Sequence, residues 1–152
     1  MKKVKLLFAI ILLATSFIAN AQNGNPKLIA VVNRANWCMV CKANGERFGA
    51  NLMPYATKGV TILMNDLTND TTVATSNTVL KNAGVYKAVY SVNRKGMGKM
   101  LQSCGLAKGK TSKSLPSGVV TFISPVTHKQ LKQVSIAISD EEMKTTIDNL
   151  LK

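Results

Sequence analysis

The chain has 152 residues, of which 46% are hydrophobic and 5% aromatic, and its formal net charge is +13. This length and apolar content are typical of one domain with a buried core and leave little room for a second. A basic protein can bind nucleic acid, but the sequence contains few aromatic side chains and no nucleic-acid motif, so we expect no nucleic-acid partner.

The first 21 residues have the pattern of a secretory signal peptide. Three lysines precede an apolar run over residues 6–14, and residues 19–21, Ala-Asn-Ala, have the small-x-small form of a signal-peptidase site. A retained membrane anchor is the alternative, but the run is shorter than the roughly 20 residues that a spanning helix needs. We therefore expect removal of residues 1–21, no membrane span afterwards, and a periplasmic or secreted protein.

A flexible lead over residues 22–27 is predicted from its turn-forming residues, and the domain is predicted over residues 28–152. Residues 28–32 form a continuous apolar, β-rich run, which is typical of a strand buried on both faces. A helix over residues 38–53 follows, and Pro54 ends its pattern. Its inward face carries Cys41, Gly45, Phe48 and Leu52.

The middle of the chain predicts a second strand over residues 60–64 and then a second helix. Asn69 or Asp70 can cap this helix, which runs to about Ala83 and ends at Gly84. The side chains predicted to face the core are Val73, Ala74, Leu80 and Ala83.

The C-terminal part predicts an antiparallel hairpin followed by a helix. Residues 118–124 and 131–137 are β-rich and are separated by a turn around residues 125–129. Ser139 and the acids that follow it form a capping box, with negative charge at the positive end of the helix dipole. The buried stripe of this helix is Met143, Ile147, Leu150 and Leu151.

Two cysteines three positions apart, Cys38 and Cys41, lie behind Trp37 where the first strand gives way to the first helix. At a helix N-terminus, unpaired N–H groups and the helix dipole stabilise a thiolate, and a thiol one turn further on can close a disulfide onto it. We expect Cys38 to lie at the mouth of the site and Cys41 to face inward.

Metal binding is an alternative use of these cysteines. A zinc site would need Cys104 and His128 as further ligands from distant loops, because the sequence has no second CxxC pair. A copper(I) site could use both cysteines of the pair and Met39. The alternative function is therefore a metal-binding protein, or an adaptor, without redox turnover.

The predicted order of strands and helices resembles that of the thioredoxin-like family, and in particular its secreted thiol–disulfide proteins. The resemblance rests on residues 36–42, Asn-Trp-Cys-Met-Val-Cys-Lys, on Ala83-Gly84-Val85 after the second helix, and on Leu115-Pro116 before the hairpin. It implies an α/β fold with a central mixed sheet flanked by helices.

The resemblance also implies a function, that of a thiol–disulfide oxidoreductase whose only redox group is the Cys38–Cys41 disulfide, with no cofactor. Its partners would be protein thiols or disulfides and a recycling redox protein. Trp37 would shape the rim of the site. Leu115 and Pro116 would support the substrate backbone, with Pro116 in a cis peptide bond against the cysteines.

The sequence departs from the family pattern in charge and length. Val32 stands six residues before Cys38, where many members of the family have a buried acid. Arg34 and Lys42 are predicted to lower the pKa of Cys38. The pair Met39-Val40 between the cysteines does not indicate the direction of the redox reaction.

The predicted insertion covers about residues 85–115, before the expected cis proline. Residues 71–139 carry ten Lys or Arg and no Asp or Glu, which favours acidic partner proteins. The insertion also holds Cys104, a possible accessory thiol. The insertion could select a partner or cover the site, or it could be a solvated loop with no role.

Overall fold

The computed structural model describes residues 25–90 and 115–152. The predicted signal peptide, Cys104 and most of the predicted insertion lie outside these residues. In chain order the elements are β1 (Leu28–Arg34), α1 (Met39–Leu52), a 3-10 helix (Met53–Lys58), β2 (Val60–Asp66), α2 (Asp70–Asn82), α3 (Tyr86–Tyr90), β3 (Val119–Ile123), β4 (Gln130–Ser135) and α4 (Asp140–Leu150). Within the described ranges, no helix combines the length and apolar character needed to cross a membrane.

The four strands form one mixed sheet in the order β2-β1-β3-β4. Strand β1 pairs in parallel with β2 and antiparallel with β3, and β3 pairs antiparallel with β4. The parallel pair is joined through α1, whereas β3 and β4 form the predicted hairpin. The predicted α/β fold class, a central mixed sheet flanked by helices, is therefore confirmed.

Two apolar clusters cover the two faces of the sheet, and alternate residues of β1 contribute to each. Leu28, Ala30 and Val32 belong to the cluster that includes residues of α1 and α4. Ile29 and Val31 point to the opposite cluster, which includes residues of α2 and α3. The first six residues of β1 are buried, as predicted for a strand with both faces covered.

The helix ends follow the capping residues that the sequence predicted. The Asn69 side chain accepts a hydrogen bond from the Thr72 N–H, and the Ser139 side chain accepts one from the Glu142 N–H. Helix α1 ends at Leu52, directly before the 3-10 turn that contains Pro54. These ends are set by local chemistry, which explains why the sequence located them.

The predicted core face of α2 was wrong at one position. Ala74 is exposed, and Ser76 is buried instead. The Ser76 hydroxyl accepts a hydrogen bond of 2.9 Å from the Asp66 N–H at the end of β2. A buried serine is tolerated here because it provides a partner for a backbone donor of the sheet.

Both described ends of the predicted insertion belong to the core. Residues 86–90 form α3, which the sequence did not predict, and Val85, Val89 and Leu115 are buried in the same cluster as Cys38. Tyr90 and Leu115, the described residues on either side of the gap, therefore both lie in the apolar cluster that contains Cys38.

Arg47 joins α1 to the segment that leads into α4. Its guanidinium donates hydrogen bonds of 3.1 Å to the Ile136 carbonyl and 2.9 Å to the Ile138 carbonyl. It also forms an ion pair with Asp140, the first residue of α4. This side chain fixes the helix that begins at the cysteine pair against the C-terminal part of the fold.

Candidate functional site

Cys38 is the N-cap residue of α1. Its backbone is extended, with φ −81° and ψ 113°, and its Sγ accepts a hydrogen bond of 3.2 Å from the Cys41 N–H. A side-chain acceptor at this position satisfies one of the free N–H groups of the first turn. The sulfur of Cys38 therefore lies where the helix N-terminus favours negative charge.

Cys38 was expected at the mouth of the site and Cys41 facing inward. Cys41 does pack against both apolar clusters, but Cys38 is itself covered. Cys38 is only 7% exposed, whereas Cys41 is half-buried. The segment before β3 covers Cys38, since a Cβ added to Gly118 would lie 3.4 Å from its Sγ. The exposed side chains beside Cys38 are Trp37 and Met39, which are 61% and 75% exposed.

Hydrogen bonds set the charge state of Cys38. Burial by itself would raise the pKa of this thiol, but hydrogen bonds from the Cys41 thiol, the Ser117 hydroxyl and the N–H groups of Cys41 and Val40 outweigh it. The pKa of Cys38 is therefore lower than that of an ordinary cysteine, in the predicted direction.

The two basic residues predicted to lower this pKa are not its main cause. The Arg34 Nε lies 3.7 Å from a carboxylate oxygen of Asp66, and its Nη2 donates a hydrogen bond of 3.1 Å to Asn36. The positive charge of Arg34 is thus partly neutralised by the Asp66 carboxylate at the end of β2. The roles of Arg34 and Lys42 as modulators of the Cys38 pKa stay predictions.

Cys41 is shifted in the opposite direction. Burial, donation of its thiol proton to Cys38 and the negative charge of ionised Cys38 all raise the pKa of Cys41, and hydrogen bonds from the backbone of Ala35 and Gly118 only partly offset them. The pair thus contains one thiol that ionises readily and one that retains its proton.

An apolar cleft of about 490 Å³ opens beside Cys41 on the α1 face of the sheet. Val32, at the position where the family resemblance expects an acid, is buried in the wall of this cleft. Gly45 and Gly49 leave the helix side of the cleft open, because a Cβ on either would meet no atom within 4 Å. Cys41 therefore has an aliphatic neighbour at the position where the family commonly places a carboxylate.

The expectation of a cis proline was wrong. No cis peptide bond occurs in the described residues, so the Leu115–Pro116 bond is trans, and Pro116 is exposed. Gly118 is the residue that lies against the cysteine pair, with φ +75° and the Val40 side chain about 3.1 Å from an added Cβ. The proline ring fixes φ near −65°, so a proline could not adopt the backbone found at Gly118.

The sequence interpretation missed Ser117 and Asn33. Ser117 lies between the expected proline and the strand, and its type alone gave no signal for a contact with Cys38. Asn33 carried a usable signal, because it directly follows five apolar residues of β1 and is buried with them. A polar side chain inside such a strand needs a hydrogen-bond partner, which could have prompted a search for one.

The metal-binding alternative would draw on Cys38, Cys41 and Met39 for copper(I), or on Cys104 and His128 beside the pair for zinc. Cys104 lies outside the described residues, and the His128 Nδ1 forms a hydrogen bond of 2.9 Å with the Gly84 carbonyl. Across residues 25–90 and 115–152, no group of three or more His, Cys, Asp or Glu side chains is placed to hold a metal ion.

The mixed sheet with a CxxC pair at its first strand–helix junction is the arrangement that the resemblance to the thioredoxin-like family implied. Among solved structures, Trxlp from Edwardsiella tarda EIB202 is similar, with 15% identity over 83% of this chain and 85% of that chain and a TM-score of 0.38. A DsbF homologue from Corynebacterium diphtheriae is also similar, with 10% identity over 81% of this chain and 71% of that chain and a TM-score of 0.42. No protein-family model and no curated protein matches the chain. At these identities and TM-scores neither likeness assigns a family or a function to the chain.

Proposed function

We propose that this protein is an extracytoplasmic thiol–disulfide oxidoreductase that acts on protein disulfides or dithiols through Cys38 and Cys41. The observation that carries the proposal is the N-cap position of Cys38, where N–H, hydroxyl and thiol donors surround one sulfur. A thiolate is the nucleophile of disulfide exchange, so this environment favours Cys38 as the attacking group.

The reaction proceeds in two exchange steps. The Cys38 thiolate attacks one sulfur of a partner disulfide, forms a mixed disulfide and releases the other partner sulfur as a thiolate. Cys41 then loses its proton to solvent and attacks the Cys38 sulfur, which releases the second partner thiolate and leaves a Cys38–Cys41 disulfide. Two electrons pass to the partner, whose two thiolates take up protons. The reverse steps oxidise a dithiol.

The surface around Cys38 suits a polypeptide partner. Trp37, Met39 and Val40 are exposed apolar side chains next to the buried sulfur. Exposed apolar groups that lie together are typical of an interaction surface. The proposed substrate-binding residues are Trp37, Leu115 and Pro116, although Leu115 is buried and would act by supporting the segment that reaches Cys38.

The location and the partners of the protein are proposed from its sequence. The signal-like residues 1–21 favour export to a compartment in which thiols meet oxidants, such as the periplasm. The basic composition of residues 71–139 favours acidic partner proteins. Repeated turnover also requires a redox protein that recycles the cysteine pair.

A Cys41→Ser variant tests this proposal. Without the resolving thiol, Cys38 should remain in a mixed disulfide when the mature protein is mixed with a disulfide-containing peptide. Mass spectrometry should find the peptide on Cys38, and dithiothreitol should release it. The matched control is the Cys38→Ser, Cys41→Ser double variant, which should form no adduct at these positions. Absence of the adduct from Cys41→Ser, together with tight copper(I) binding by the native pair, would contradict the proposal.

A further inference from the structure

Asn33 is a buried amide in the central strand of the sheet. It is 1% exposed and directly follows five apolar residues of β1. Burying an amide costs free energy unless its donor and acceptor groups find partners. An aliphatic side chain would fill this buried position without that cost. The hydrogen bonds of the amide therefore need a functional explanation.

Both ends of the Asn33 amide are bonded, and each bond reaches a different part of the fold. Its Nδ2 donates a hydrogen bond of 3.1 Å to the Pro116 carbonyl. Its Oδ1 accepts one of 2.9 Å from the Nδ2 of Asn65, which is 0% exposed. Asn65 is the residue opposite Asn33 in the parallel pairing of β1 with β2. The amide is therefore held from β2 and directed at the segment before β3.

The backbone of Asn33 binds the same segment at a second point. Its carbonyl accepts a hydrogen bond of 2.8 Å from the Gly118 N–H. Pro116 and Gly118 are thus both attached to one residue, and Ser117 lies between them. Gly118 lies against Cys38 and Val40, and Ser117 is one of the groups that lower the pKa of Cys38.

We propose that Asn33 is a positioning residue for thiol–disulfide exchange, which holds the segment of residues 116–118 so that Ser117 donates to the Cys38 sulfur. The inference rests on the function proposed above. The backbone bond to Gly118 is available to any residue in this register, whereas the bond to the Pro116 carbonyl requires a side-chain donor. The side-chain amide of Asn33 is therefore the group that an aliphatic residue at this position could not replace.

The test is the reactivity of Cys38 in an Asn33→Leu variant, which keeps the size of the side chain and removes its donor. Alkylation of the reduced protein by iodoacetamide at pH 6, followed by mass spectrometry of the Cys38 peptide, measures how much of this thiol is ionised. We expect alkylation of Cys38 to be about three- to tenfold slower, the effect of one weakened hydrogen bond to the thiolate. Thermal unfolding and circular dichroism establish that the variant is folded.

A Thr121→Val variant is the matched control. Thr121 is 1% exposed on β3, and its hydroxyl accepts a hydrogen bond of 2.8 Å from Gln133. Its replacement also removes a buried polar group of the sheet, but the hydroxyl that is lost is bonded to Gln133 and not to residues 116–118. Alkylation of Cys38 should remain at the rate of the native protein in this control. An equal slowing in Thr121→Val would overturn the proposal.

A double-mutant cycle separates positioning from a general loss of stability. If Asn33 acts through Ser117, Asn33→Leu should slow Cys38 alkylation in the native background but have little further effect in a Ser117→Ala background. Additive effects of the two substitutions, or no effect of Asn33→Leu, would overturn the proposal. If Asn33→Leu does not fold, Asn65→Val is measured in its place. We expect Asn65→Val to slow Cys38 alkylation by a smaller factor in the native background and to have little effect in the Ser117→Ala background. An unchanged alkylation rate in Asn65→Val would then overturn the proposal.

This readout is independent of turnover. A slowed alkylation in Asn33→Leu together with no adduct in Cys41→Ser would leave the effect of Asn33 on the Cys38 thiolate in place and reject the oxidoreductase. The opposite pair of results would reject only the role of Asn33.

Discussion

Replacement of Cys38 by alanine is expected to abolish thiol–disulfide exchange by this protein. The Cys38 sulfur accepts a hydrogen bond from the Cys41 N–H in the first turn of α1, and Ser117 also lowers its pKa. The Cys41 sulfur has neither of these two donors. Loss of a nucleophile reduces catalysis by on the order of a thousandfold or more. The measurement is the reduction of insulin by dithiothreitol in the presence of the variant, which should match the rate without protein.

Cys41→Ala provides the comparison within the same pair. This variant keeps the attacking sulfur, so a first burst of mixed disulfide should still form, while steady turnover is lost. Retention of more than a tenth of the native rate in Cys38→Ala would show that another thiol carries the reaction, and would contradict the assigned roles.

Gly118→Ala is expected to lower the stability of the protein and to change the reactivity of Cys38. Gly118 has φ +75°, a conformation that costs a residue with a Cβ about 1–2 kcal/mol. The new Cβ would also lie 3.1 Å from Val40 Cγ1, so the Val40 side chain must shift by a few tenths of an ångström, and 3.4 Å from Cys38 Sγ, which is ordinary contact. We expect the free energy of unfolding in urea to fall by at least the backbone cost, and the reactivity of Cys38 at pH 6 to change with the position of Ser117.

Gly45→Ala is the control for this substitution. Gly45 lies inside α1, and a Cβ there would meet no atom within 4 Å. Alanine in a helix interior is favoured over glycine by roughly 0.5–1 kcal/mol, so this variant should be more stable than the native protein. A Gly118→Ala variant with native stability and native Cys38 reactivity would refute the close approach of this segment.

The hydrogen bonds at Cys38 also affect the reduction potential of the pair. A disulfide has no negative charge for them to stabilise, whereas the reduced pair has the Cys38 thiolate. Each donor to this sulfur therefore stabilises the reduced form relative to the disulfide and raises the potential. The direction of electron flow with a partner follows from the difference between their two potentials.

Much of the fold could be predicted because its signals are local. The apolar run that begins at Leu28, the cap at Ser139 and the break at Pro54 each act through neighbours in the chain, and the structure has an element boundary at or next to each. Helix α3 was missed because its five residues are too few to show a helical period.

The details of the site could not be predicted because they depend on contacts between distant segments. The sequence correctly placed the CxxC pair at a helix start, but the burial of Cys38 depends on a segment about 80 residues away. Pro116 was given the position against the cysteines by analogy, and only the three-dimensional path shows that Gly118 occupies it. Likewise, Asn33 finds its partners on β2 and before β3.

The most direct test of this account is the pH dependence of alkylation of Cys38 and Cys41 in the reduced protein, followed separately by mass spectrometry. Because the pKa of Cys38 is lowered, its rate should already approach its plateau below the ordinary cysteine pKa of about 8.5, and should fall only as the pH drops through the lowered pKa. Because the pKa of Cys41 is raised, its rate should still be rising above that pH. Two cysteines that titrate together near the ordinary pKa, or a Cys41 that reacts first, would contradict the assignment of Cys38 as the exchange nucleophile.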